Sequence, residues 1–209
     1  MTTRTRLAAT ALSLVTLLSS AARADFIPIA MPDAAYIAET TGLGFAAPDF
    51  SVLTSLSDGT QVAAFDIGMV ALTVPTTWAS WGSPPNTESS TPRVLWTNGF
   101  TSMQINLAFP TFTFGFEAQP NTAVVSNVTV DFFSLGLLVG SISLDVDGNG
   151  GARLFAARTN TDAFDMVVIS GLDDFAIANL RYNAVLIPEP ASAMLVLLGL
   201  ASLLFLRRR

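Results

Sequence analysis

In 209 residues the chain holds no cysteine and no histidine, and its 16 acidic residues outnumber 10 basic ones, all of them arginine. Disulfides, thiolate or imidazole metal sites, and any mechanism that needs a histidine base or a cysteine nucleophile are therefore excluded. Glu189 is the one carboxylate outside residues 25–187, and only Arg93, Arg153, Arg158 and Arg181 lie inside, so that stretch is strongly acidic and repels nucleic acid and anionic lipid.

The chain opens with Arg4 and Arg6, an apolar run over residues 7–18, and Ala22-Arg23-Ala24, the small-residue pattern that signal peptidase cleaves. The spacing predicts a signal peptide over residues 1–24 and a mature protein beginning at Asp25. Because the arginines are not adjacent, the general secretory translocon is the expected route.

Residues 25–187 read as one domain of short strands separated by turns. The alternation predicts strands over 50–56 and 61–65, joined by an Asp58-Gly59 hairpin, and a third over 69–74 that stops at Pro75. Residues 76–93 mix Trp78 and Trp81 with three prolines, serines and threonines, and form one long loop. Strands follow over 94–97, 102–109, 111–117, 124–133, 135–144, 153–157, 164–169 and 175–186. Phe112, Phe114 and Phe116 share one strand face and should enter the core, and Val124, Ser126, Val128, Val130 and Phe132 share one side of the next strand. Roughly ten strands with no helical period of similar length point to an all-β, antiparallel sandwich, jelly-roll-like.

The C-terminus is different in kind. Pro188, Glu189 and Pro190 hold the backbone extended, residues 191–206 carry no charge, and Arg207, Arg208 and Arg209 close the chain. A helix over 191–206 would be about 24 Å long, slightly shorter than a hydrocarbon core of about 30 Å, and the arginines would anchor its cytoplasmic end. The expected element is a single transmembrane helix. The alternative, a buried C-terminal core helix, leaves three cations without a reason.

In order, spacing and position these parts resemble the PEP-CTERM sorting signal of exported proteins in Gram-negative bacteria. The resemblance implies a partner, the membrane peptidase exosortase, which removes the tail, so that an inner-membrane-anchored precursor passes to the cell surface or extracellular matrix. It also ties such proteins to exopolysaccharide and biofilm. Three stretches of the middle region, 114–121, 150–157 and 175–182, are similar to β-sandwich ectodomains found with this tail; that likeness implies a fold and no catalytic residues.

Inside the domain, Asp145, Asp147 and Asn149 followed by Gly150 match the first half of a calcium loop, although Ala156 stands where a bidentate glutamate belongs. The same residues make an ordinary hairpin turn, the leading reading. Trp78, Trp81 and Trp96 are candidates for stacking on sugar rings; folding over the end of the sandwich as a plug is the competing and favoured role. Asn127 begins an Asn-Val-Thr glycosylation pattern but sits in a predicted strand. For glycoside hydrolysis, Asp173 and Asp174 are adjacent and would point to opposite faces of a strand, while Glu88 and Glu117 would have to be brought together by the fold. The expectation is a non-enzymatic, cofactor-free protein with a structural or adhesive role in the matrix. A carbohydrate-binding module, with or without calcium, is the alternative, and a secreted glycoside hydrolase stands third.

Overall fold

The computed structural model describes residues 25–183. In chain order its elements are β1 (Ile27–Ile29), α1 (Ala34–Glu39), β2 (Thr41–Leu43), β3 (Val52–Ser57), β4 (Val62–Thr73), β5 (Arg93–Trp96) and β6 (Ser102–Thr111). Then come β7 (Thr113–Pro120), β8 (Val125–Ser134), β9 (Leu137–Asp147), β10 (Arg153–Arg158), β11 (Phe164–Gly171) and β12 (Phe175–Tyr182). The signal peptide expected at Ala22, Ala24 and Asp25 falls outside the described residues but for Asp25 itself. The Pro188-Glu189-Pro190 motif, the apolar run and Arg207, Arg208 and Arg209 also lie outside them. Among the described residues no helix is long and apolar enough to cross a membrane.

Every strand pair is antiparallel, and the hydrogen-bonded path runs β1-β10-β7-β12-β5-β4-β6-β11-β8-β9. The path bends at β4. Its first half pairs with β6 through Ala63, Ala64 and Phe65, while its second half pairs with β5 from Val70 to Thr73. One continuous strand therefore replaces the two expected over 61–65 and 69–74. Period-two alternation carries through it, with Ala63, Phe65, Met69 and Ala71 all buried toward one core. The result is a barrel- or sandwich-like arrangement of two facing sheet halves.

That core receives Phe114, Phe116, Phe155, Phe175 and Ile177 from the half containing β7, β10 and β12. From the other half come Val128, Val130, Phe132, Val167 and Ile105. The rings are in contact: Phe132 and Phe164 lie 5.0 Å apart between centroids, and Phe116 stacks on Phe155 at 6.2 Å. Phe114, Phe116, Val128, Val130 and Phe132 are completely buried, as their alternation requires, whereas Phe112 and Val124 precede the first residues of β7 and β8 and stay half-buried and exposed, respectively.

The chain holds three elements that alternation did not predict: β1, α1 and β2. Helix α1 has only six residues, capped by the Asp33 carboxylate accepting from the Tyr36 amide at 2.8 Å. At that length its stability must come from packing. Tyr36 packs on β7 at Gly115, where a Cβ would lie 2.7 Å from the Tyr36 oxygen and 2.8 Å from the Ala156 Cα. The helix thus covers the outer face of the β7 and β10 sheet half.

The two ends of the strand stack differ in what they hold. At one end the β7–β8, β9–β10 and β11–β12 turns meet: the Asn121 amide donates to the Asp174 carbonyl, and the Gly148 amide to that of Val124. At the other end lie the β8–β9 turn and both limits of the described chain. There the Asn183 amide bonds the Thr113 carbonyl, and Asn160 bonds the Asp25 carboxylate.

Candidate functional site

Along β7, Glu117 and Gln119 point to the face opposite Phe114 and Phe116. The structure buries them: Glu117 and Gln119 are 0% and 1% exposed, because the segment of residues 74–92 folds back over this face as a strap. Trp78 and Trp81, only 7% and 5% exposed, pack beneath the strap against Leu72, Val74, Val94 and Ala178. Burying two indole rings on an apolar sheet face is what holds so proline-rich a segment in place.

Glu117 is the strap's polar anchor. Its Oε2 accepts from Trp81 Nε1 at 2.8 Å and from Asn179 Nδ2 at 3.0 Å, and its Oε1 accepts from the Glu88 amide at 2.5 Å. Burial lifts the Glu117 carboxyl above its ordinary value, against three hydrogen bonds that favour the anion. Glu88 in turn is gripped in a fork by Arg181, with Nε to Oε1 at 2.7 Å and Nη2 to Oε2 at 3.0 Å. The Tyr36 phenol is buried next to this cluster without a hydrogen-bond partner; burial, then the Glu88 and Glu117 charges, push it far above its usual value.

The fold therefore does bring Glu88 and Glu117 together. It also occupies them, since each of the four carboxylate oxygens already accepts a hydrogen bond or an ion-pair contact. The arrangement is that of a clamp. A hydrolytic pair needs one carboxyl free to give a proton and the other open to sugar or water.

Beside the clamp lies a cleft of about 300 Å³ lined by Phe45, Arg93, Asn179 and Arg181, among others. Arg93 is paired with Asp49 at 2.9 Å and stands over the Phe45 ring at 5.1 Å. Thr73 and Thr77, whose hydroxyls donate to Asp49, hold that carboxyl below its ordinary value, with help from Arg93. Three of the four domain arginines are thus bound to carboxylates, Arg158 joining Glu39 at 3.4 Å.

The larger concavity, about 490 Å³, is a groove at the end where the β7–β8 and β9–β10 turns meet. One wall is the start of the strap, Thr77 to Ser80, including an edge of Trp78. The other is Gln119 to Ala123 with Gly148 and Asn149. Not one lining residue is ionisable. Gln119 fixes the floor by donating to the carbonyls of Ser80 at 3.1 Å and Gly148 at 3.0 Å. Its buried Oε1 accepts nothing. A buried acceptor without a donor is costly.

The other residues singled out in the sequence have defined places. Trp96 is half-buried and donates to Asp174 at 2.6 Å, so the three tryptophans do not form one exposed platform. Asp174 lies in the β11–β12 turn, where it also accepts from Asn121. Asp145 accepts from Asn127 across the β8–β9 pair at 2.9 Å. Asp147 accepts from the Asn149 amide at 2.8 Å inside the β9–β10 turn. Among the described residues no group of three or more histidine, cysteine, aspartate or glutamate side chains is placed to hold a metal. Gln119, Asn121, Asn179 and Tyr36 were not among the residues picked out by sequence. Gln119, Asn179 and Tyr36 have their roles only because strap or helix lies over the sheet, and Asn121 because the β7–β8 and β11–β12 turns meet.

No protein-family model matches this chain, and no curated protein does. Among solved structures it is similar to two variants of CBM29-2, a family 29 carbohydrate-binding module, at 12% identity. The alignments cover 68% of this chain and 90% or 89% of theirs, with TM-scores of 0.28 and 0.29, too low to bear on function.

Proposed function

We infer that this chain is an exported, non-catalytic protein built on a jelly-roll-like β-sandwich. It is anchored transiently in the inner membrane and released by exosortase at Pro188-Glu189-Pro190. At the cell surface or in the extracellular matrix it holds neutral polysaccharide in the groove beside the strap. The observation that carries the carbohydrate reading is the groove lining. On a strongly acidic protein, this concavity gathers the hydroxyls and amides of Ser80, Asn121, Thr122 and Asn149, without a charge. Such a set matches sugar hydroxyls, which donate and accept without bearing charge. Retention in a polymer matrix then needs no chemistry, consistent with the occupied carboxylates of Glu88 and Glu117.

Binding is tested by retention of the protein on immobilised neutral and acidic polysaccharides, with and without calcium. Asn121→Ala, or Thr122→Tyr to fill the groove, should weaken retention on the neutral polymer about tenfold, the worth of one good hydrogen bond, with the melting temperature kept. If no neutral polysaccharide retains the protein, or the groove variants bind as well as wild type, the carbohydrate reading is wrong. Sorting is tested in cells: Glu189→Ala, or deletion of Arg207, Arg208 and Arg209, should leave an uncleaved membrane-bound form, and normal release of both would remove exosortase from the account.

A further inference from the structure

The turn joining β8 and β9 is built against the usual chemistry of tight hairpins. Leu135 and Gly136 both have positive φ, 50° and 78°, the primed-turn geometry that asparagine, aspartate or glycine normally supplies at both positions. A leucine there is strained by its Cβ and gains nothing from packing, since Leu135 is 87% exposed. Leu137 and Leu138, the next two apolar side chains, are 75% and 58% exposed. Three bare leucines in four residues, one of them in a strained conformation, form a concentrated apolar tip with no partner among the described residues.

The position of the tip identifies what it meets. The Leu135 amide is held by Asp165 at the start of β11, and neighbouring Phe164 pairs in register with Thr111. Two residues on, Thr113 accepts from the Asn183 amide, where the described chain ends. The leucines and the C-terminal exit therefore share one end of the domain. Between Asn183 and the apolar run 191–206 lie only residues 184–190, which reach at most about 25 Å when fully extended.

We propose that the β8–β9 tip is a membrane-contacting element that inserts Leu135, Leu137 and Leu138 into the lipid interface while the precursor is anchored, holding the groove end away from the bilayer. This rests on reading residues 191–206 as a membrane span. Apolar side chains leaving water supply the driving force, and the tether makes the contact intramolecular, so weak insertion suffices. Because Asp131, Asp162 and Asp165 lie near this end, the lipid matched by the tip is zwitterionic.

The absence of cysteine makes the test direct. Full-length chains carrying Leu137→Cys, Leu172→Cys at the opposite end, or Leu198→Cys within the apolar run are labelled with a polarity-sensitive fluorophore. They are then reconstituted in phosphatidylcholine vesicles, with doxyl-labelled lipid as quencher. The expected result is a blue shift and lipid quenching at positions 137 and 198, with position 172 in water. Adding Leu135→Asn, which suits the turn, should reduce quenching at 137 without changing it at 198. A water-exposed label at 137 with a lipid-buried one at 198 overturns the tip and leaves the span standing. Water exposure at both overturns both.

Discussion

The two ends of the strand stack solve the same problem, three or four chain reversals at the edge of a core, in opposite ways. At the groove end polar groups are buried and tied together: the strap lies over β7, Glu117 collects three donors, and Asp174 accepts from Trp96 and Asn121. At the terminal end an apolar hairpin projects bare leucines into solvent from a strained turn. The first end spends polar groups on holding one conformation. The second leaves stability unused. The contrast teaches that one fold can hold its turns either by tying polar groups together or by leaving apolar side chains bare on a strained hairpin.

The largest effect should come from cutting the groove end's anchor. Glu117→Ala leaves the Trp81, Asn179 and Glu88 donors without their acceptor, and should cost about 3–5 kcal/mol, since the interaction is buried and charge-assisted. Calorimetry measures the loss, and red-shifted tryptophan emission would show the strap lifting. An unchanged melting temperature would mean that the strap is held by apolar packing alone.

A smaller change of opposite sign is expected at the other end. Leu135→Asn relieves a positive-φ leucine and should stabilise the isolated domain by about 1 kcal/mol, measured as a raised denaturation midpoint. A destabilised variant would show that Leu135 is packed in solution after all.

The smallest effect is a slope with pH. Tyr182, at the terminal end, donates to Asp58 at 2.6 Å, and burial together with that bond and the Asp58 charge pushes its phenol up to about 12. Its folded value is raised above the ordinary 10.0, so the unfolded chain loses this proton first. The Tyr182 contribution is complete below pH 10 and is lost as pH climbs toward about 12. Tyr182→Phe should flatten that part of the stability profile in alkaline titration, and an equal slope in both proteins would refute the assignment.

Most of the strand framework was legible in the residues, for a plain reason: a strand's inward face repeats every second position, and Phe114, Phe116, Val128, Val130 and Phe132 display that repeat without help from elsewhere. Alternation also survives the bend in β4, so it could not reveal that one strand serves both sheet halves. The short β1 and β2 left no such trace, because three residues hold too little pattern. They exist through pairing with β10 and β12. Helix α1 carried its Asp33 cap in plain view, but six residues are too few for a period to be seen.

The sequence by itself determined the β class, the exclusion of thiol and imidazole chemistry, and the apolar and basic segments at either end, because these depend on composition and on neighbours along the chain. Only the tertiary structure decided that Glu117 is an interior anchor, that Glu88 and Glu117 meet as a clamp, and that the groove is free of charge. A polar residue on the outer face of a strand looks the same in sequence whether water or a folded-back strap lies over it. That covering is made by residues 29 to 93 positions away, joined to it only through packing and hydrogen bonds such as those from Trp81 and Glu88 and to Arg181.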